Sequence, residues 1–217
     1  MKLLDLSHPF DPEGPVNKKK NELEIRTLKT VEANGVNTRE IVFNNHIGTH
    51  VDAPLHLIAG GASVDKVPLD TFYGSAVILD IPCGQNGAVG KAEMENAKPS
   101  IRRGDIVVIF TGWGDKIGNS DFASHHPYLT EDGAHWLVEQ GVKMVGMDVQ
   151  SVDLPHSLRQ KDFRYTSLRI LLANGVPAIH NMTNLEPIRG KRVNLFALPI
   201  SFRGADGAPA RVVAQVD

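Results

Sequence analysis

At 217 residues, with 41% hydrophobic and 22% charged side chains, the chain can bury one substantial core and has an ordinary globular composition. A formal net charge of -2 gives no electrostatic footprint for nucleic acid or an anionic membrane, so neither is an expected partner. A single cysteine, Cys83, excludes an internal disulfide framework and fits a reducing, cytoplasmic setting.

In chain order, residues 1–5 are too short an apolar stretch for a signal peptide, and Asp5 interrupts them. No later run approaches the ~20 apolar residues needed to cross a bilayer. Lys18, Lys19 and Lys20 form the only basic run, in a segment that reads as a solvated loop. Residues 24–29 and 38–43 alternate and flank Asn34-Gly35, which predicts a hairpin with a connection longer than a tight turn. Residues 76–80, 106–110 and 142–145 are apolar runs bounded by Gly, Pro or Asp and suit strands buried on both faces. Residues 194–199 and 210–215 read as closing strands. Helices are expected over 91–98, halted by Pro99, over 131–140, capped by Thr130 and stopped by Gly141, and over 168–173, capped by Ser167. Strands outnumber helices and alternate with them only in the second half. That pattern predicts a single α/β domain over 1–217 with a mixed sheet or small, partly barrel-like β core.

The densest chemistry lies in residues 46–56, where His46, His50, Asp52 and His56 all fall on even positions while Ile47, Thr49, Val51, Ala53 and Leu55 fill the odd ones. On a strand this parity sends the polar groups to one face and the apolar groups to the other. A straight strand would separate His46 from His56 by roughly 33 Å, so the segment must curl. Gly48 and Pro54 are the residues suited to bending it. A closed structural zinc site usually recruits thiolates, which this chain lacks. Three N/O ligands with a position left for water describe a catalytic metal site instead.

The HIGTHVDAPLH stretch resembles the signature of the cyclase-like metal-dependent hydrolases, which include bacterial kynurenine formamidases and isatin hydrolases. Weaker likenesses follow in order: the opening around Asp5 and His8-Pro9, Thr111-Gly112-Trp113 after a strand, His126-Pro127 before a helix, Asp148 to Asp153, and the segment ending at Pro199. The resemblance implies a swivelling β/β/α fold, a small-molecule substrate and a homodimer or larger assembly. For assembly, Trp113, Phe122 and Tyr128 are expected to be exposed in a glycine-rich loop.

On this resemblance, His46, His50 and Asp52 hold one divalent ion per chain, Zn2+ or Mn2+. Such an ion lowers the pKa of water toward ~7 and polarises a carbonyl. His56, beyond the Pro54 bend, is the expected general acid/base. Relatives bind a second ion through a His and a Glu twelve residues later. Here those positions hold Leu168 and His180, so a mononuclear site is expected, with His180 neutral and hydrogen-bonding to water or substrate. Glu186 would substitute for the missing Glu only if the register slipped. Trp113 is either a pocket wall or a packed aromatic, and Asp148 and Asp153 are expected to order turns. Arg164, Tyr165 and Arg169 are candidates to bind a carboxylate product. The expected activity is hydrolysis of a C–N bond in a small linear or cyclic amide. The alternatives are lactone hydrolysis, cyclisation or dehydration at the same centre, or a scaffold that keeps the metal without catalysis.

Overall fold

A computed structural model describes residues 2–15 and 23–216, which leaves Lys18 to Lys20 outside the described residues. In chain order the strands and helices are β1 (Lys2–Asp5), β2 (Leu23–Lys29), α1 (Val31–Asn34), β3 (Thr38–Phe43), β4 (His50–Asp52), β5 (Tyr73–Asp80), β6 (Ala88–Val89) and α2 (Lys91–Asn96). They continue with β7 (Ile106–Phe110), β8 (Tyr128–Leu129), α3 (Glu131–Gln140), β9 (Met144–Met147), α4 (Thr166–Ala173), β10 (Ala178–His180), β11 (Arg192–Pro199) and β12 (Gly207–Val216).

The main sheet runs β1-β12-β11-β5-β7-β9-β10-β4, and a further pairing of β4 with β12 closes it. The β5, β7, β9 and β10 neighbours are parallel, while β4, β11, β12 and β1 join antiparallel. The result is the expected mixed, barrel-like core. Parity along β7 shows how the runs read from sequence build it. Ile106, Val108 and Phe110 join one apolar cluster, with Val51, Ile179, Leu195 and the alanines 208, 210 and 214 of β12. Small residues there suit the limited space inside a small barrel. Val107 and Ile109 point the other way, into a second cluster with Leu137 of α3 and Leu171 of α4. Both faces of β7 are therefore covered, which is why its five residues are all buried and read as a continuous apolar run.

Helix α3 forms as its sequence predicts, with Thr130 Oγ1 accepting from Gly133 N–H and Gly141 in the left-handed conformation at its end. Helix α4 corrects an expectation. Ser167 does not cap it; its hydroxyl donates to Leu129 O, and the helix begins at Thr166. The first-turn N–H groups of Ser167 and Leu168 donate to the Asp153 carboxylate instead, an acceptor supplied from a different loop. Asp148 plays a similar part, accepting from Thr111 and Gly112, so both aspartates order turns. Trp113 and Phe122 were expected at the surface. They are buried, 1% and 4% exposed, because the glycine-rich loop folds back and the indole N–H donates to Phe122 O. Trp113 is a packed aromatic.

Strands β2 and β3 form a separate two-stranded hairpin. Its connection carries α1, which ends at Gly35 with φ +72°, and is longer than a two-residue turn as the sequence indicated. Chain direction then delivers β3 directly into the histidine-rich segment.

Candidate metal centre

The curl required by residues 46–56 is present. His46 lies in a turn, Gly48 adopts φ +59°, β4 carries His50 and Asp52, and Pro54–His56 forms a single 3-10 turn with Pro54 at its start. At Gly48 a side chain would also collide with the Phe10 ring, 2.7 Å from an added Cβ. Val51 and Ala53 face the barrel interior, while His46, Gly48, His50, Asp52 and His56 line a cavity of about 450 Å³ on the outside. The parity argument therefore holds through the bend.

Strand register completes the cluster. In the antiparallel pair β4–β10, His50 stands opposite His180 and Asp52 opposite Ala178; across β4–β12, Asp52 stands opposite Gly207. Small neighbours on both sides leave room around the Asp52 carboxylate. A Cβ at Gly207 would lie 2.8 Å from His46 Cε1 and 2.7 Å from Val51 O, so this close approach requires glycine.

Four imidazoles converge on Asp52. His46 Nδ1 lies 2.7 Å from Oδ1 and His180 Nε2 2.9 Å from Oδ2, with His50 Nε2 at 3.4 Å and His56 Nε2 at 3.9 Å. Asp206, which the sequence reading missed, closes the ring. Its Oδ2 lies 2.8 Å from both His46 Nε2 and His56 Nδ1, and its Oδ1 accepts from Asn45. In sequence Asp206-Gly207 looks like an ordinary turn before a strand; only the β4–β12 pairing reveals its place.

Burial alone would raise the Asp52 pKa, but its interaction with His180 and the hydrogen bond from His46 outweigh burial and hold it well below the usual carboxylate range. Burial lowers the His180 pKa more than Asp52 raises it, which keeps that ring neutral. Burial works against a charged His46 as well, yet Asp52 and Asp206 together lift its pKa to about 9.

These contacts fit a cation. His50 Nδ1 sits 2.9 Å from Gly48 O, and a carbonyl only accepts, so Nδ1 carries the proton and a neutral His50 presents its Nε2 lone pair to Asp52 Oδ1. Two acceptors facing each other at 3.4 Å repel without a positive charge between them. His180 Nδ1 and Asn181 Oδ1 are also buried without a hydrogen-bond partner, which leaves polar capacity at the cavity wall. Among the described residues, two groups of three have mutually close ligand atoms, all within 4.8 Å: His46, Asp52 and His56, and His50, Asp52 and His180. The expected set of His46, His50 and Asp52 is thus brought to one cavity, but divided between two groups that share Asp52.

Other sequence candidates separate clearly. Leu168 lines the cavity that His180 also lines, so this wall is aliphatic and offers no ligand atom. Glu186 does not substitute: it is exposed, pairs with Arg189 and lines a different depression. Tyr165 lines the cavity, whereas Arg164 and Arg169 are exposed and do not. His126 is buried beside the site with its Nδ1–H donating to Pro127 O.

Residues 4–154 match the family model Cyclase, described as "Putative cyclase". The chain is 30% identical over 184 residues to a kynurenine formamidase of Bacillus thuringiensis (strain Al Hakam), covering 85% of this chain and 82% of that relative. Against the kynurenine formamidase of Salinibacter ruber identity is 28% over 223 residues, with coverage of 99% and 98%. In fold it superposes on isatin hydrolase A from Ralstonia solanacearum with a TM-score of 0.87 at 22% identity, covering 100% of this chain and 92% of that one.

Proposed function

The chain belongs to the Cyclase family, and from that membership we infer that it is a metal-dependent hydrolase cleaving the C–N bond of a small linear or cyclic amide other than a peptide. The convergence of His46, His50, His56 and His180 on one buried carboxylate, Asp52, carries this reading.

We assign His46, His50 and Asp52 to one divalent ion per chain, Zn2+ or Mn2+. Two imidazoles favour zinc, and a carboxylate with room for water also suits manganese. When bound, that ion acidifies a water and polarises the amide carbonyl. The remaining work belongs to the protein. His56 Nδ1–H donates to Asp206 Oδ2, which leaves the Nε2 lone pair turned toward the Asp52 cluster, where it can accept a proton and return it to the amine leaving group. Neutral His180 orients Asp52 through Nε2 and stands ready to hydrogen-bond water or substrate. Leu168 at the cavity wall argues for a mononuclear centre.

Elemental analysis of gently purified protein should give about one equivalent of metal. Turnover should then be screened on N-formylkynurenine, isatin and simple lactones. Two equivalents would overturn the mononuclear assignment, and hydrolysis of lactones alone would overturn the amide assignment.

No helix among the described residues is long and apolar enough to cross a membrane. The free Cys83 supports a cytoplasmic location. The same reading includes a homodimer, with its surface on the β2–β3 hairpin rather than at Trp113. Leu28, Ile41 and Val42 expose 58%, 53% and 48% of their area there. A stable, active monomer by light scattering would contradict it.

A further inference from the structure

The cavity that holds the metal cluster has a second polar feature, Arg159. Its Nε–H donates to Leu154 O at 2.8 Å, and its guanidinium carbon stands 4.6 Å from the Phe163 ring centre and 5.1 Å from that of Tyr165. A backbone carbonyl and two aromatic faces therefore fix the plane of the group. The side chain is half-buried, yet no carboxylate forms an ion pair with it among the described residues. Asp153 is near enough to feel its charge but spends its oxygens on Ser167 and Leu168 N–H. A fixed, partly desolvated cation with no ion-pair partner among the described residues, facing the cavity, is arranged for an anion from outside.

Tyr165 adds an independent sign. It adopts φ +52°, ψ +54°, a left-handed conformation that a bulky residue rarely takes, at the first residue before α4. This conformation places its ring at once on the cavity wall and against Phe163, 4.6 Å between centres. Strain of this kind persists where surrounding structure holds it, and such sites are commonly functional.

We propose that Arg159, seated on Phe163 and Tyr165, is a specificity-determining residue that binds a carboxylate carried by the amide substrate, away from the bond that breaks. The proposal rests on the amide-hydrolase reading and names its substrate class: anionic aryl or acyl amides rather than neutral ones. Guanidinium and carboxylate form paired, charge-assisted hydrogen bonds, which an ammonium cannot reproduce in the same geometry.

The test compares N-formylanthranilate with uncharged formanilide in metal-loaded wild type, Arg159→Gln and Arg159→Lys, with metal content checked in each. The ratio of kcat/KM for the anionic to the neutral substrate should fall about 10- to 100-fold in Arg159→Gln, mainly through KM, and recover only partly in Arg159→Lys. An unchanged ratio, or equal losses on both substrates, overturns the proposal. If wild type holds metal but hydrolyses neither amide, the amide-hydrolase reading fails on its own, and calorimetry with anthranilate decides the subsite. Binding at least about 10-fold weaker in Arg159→Gln supports it; equal binding in both proteins overturns it.

Discussion

Asp206 lies 150 residues beyond His56 in sequence, yet its Oδ2 is 2.8 Å from His56 Nδ1. The same oxygen is 2.8 Å from His46 Nε2, so one half-buried carboxylate fixes the ring orientation of a proposed ligand and of the proposed acid/base. Carboxylates behind metal-binding imidazoles typically change metal affinity by about 10- to 100-fold when removed. Asp206→Asn should weaken zinc or manganese binding within that range and slow turnover, while leaving the fold intact. Competition titration with a chelating dye checks this, and an affinity within about threefold of wild type, well short of the expected loss, would remove Asp206 from the site.

What the sequence made legible was local. Residues 46–56 carry four polar groups on one parity with two bending residues among them, and periodicity is enough to place them together. The runs that became β5 and β7 were equally readable because burial on both faces leaves an apolar stretch with clear ends. Long-range partners left no such mark. His180 meets His50 only through the β4–β10 register, and Asp206 reaches the site only because β12 closes the barrel against β4. The same limit explains the mistaken cap of α4. Ser167 has the right residue type, but Asp153 arrives from another loop and satisfies both N–H groups. Arg159 escaped notice because its significance lies in aromatic neighbours and the lack of an ion-pair partner among the described residues, neither of which shows as a spacing.

Role separation between two histidines of the signature can be measured directly. His50 is buried and presents Nε2 to Asp52, whereas His56 stands beyond the Pro54 turn at 3.9 Å and is anchored from behind by Asp206. His50→Ala should lose both metal and activity. His56→Ala should retain most of the metal and lose about 10²- to 10⁴-fold in turnover, the usual contribution of a general acid/base. Comparable metal loss in both variants would make His56 a ligand, consistent with its grouping with His46 and Asp52.

His126 supplies a pH-dependent stability term. Burial, with contributions from the nearby Arg159, His156 and His180, lowers its pKa from 6.5 to about 4, against the opposing effect of its bond to Pro127 O. Between these values the unfolded chain binds more protons than the folded one, so stability from neutral His126 is complete above pH 6.5 and is lost as pH falls toward 4. The slope should approach about 1.4 kcal/mol per pH unit, or about 3 kcal/mol across the window. Urea unfolding of metal-loaded protein from pH 7 to 4.5, compared with His126→Gln, checks it. Parallel pH profiles in the two proteins would show that His126 contributes nothing to acid sensitivity.

His180 stands at the position where the family resemblance leads one to expect a carboxylate. Its ring is buried and neutral, with Nε2 on Asp52 and Nδ1 unpartnered. A neutral imidazole cannot bridge two cations as a carboxylate does, but it can hold Asp52 in place and offer a hydrogen bond to water or substrate. His180→Gln should therefore keep about one equivalent of metal and part of the rate, because an amide also donates and accepts. His180→Leu should keep the metal and lose far more rate. His180→Glu should raise metal uptake only slightly, since Leu168 furnishes no donor on the facing wall. Metal content and turnover measured together separate the outcomes. Loss of the ion in His180→Leu would make His180 a ligand alongside His50 and Asp52. Wild-type behaviour in all three variants would make it a structural residue and nothing more.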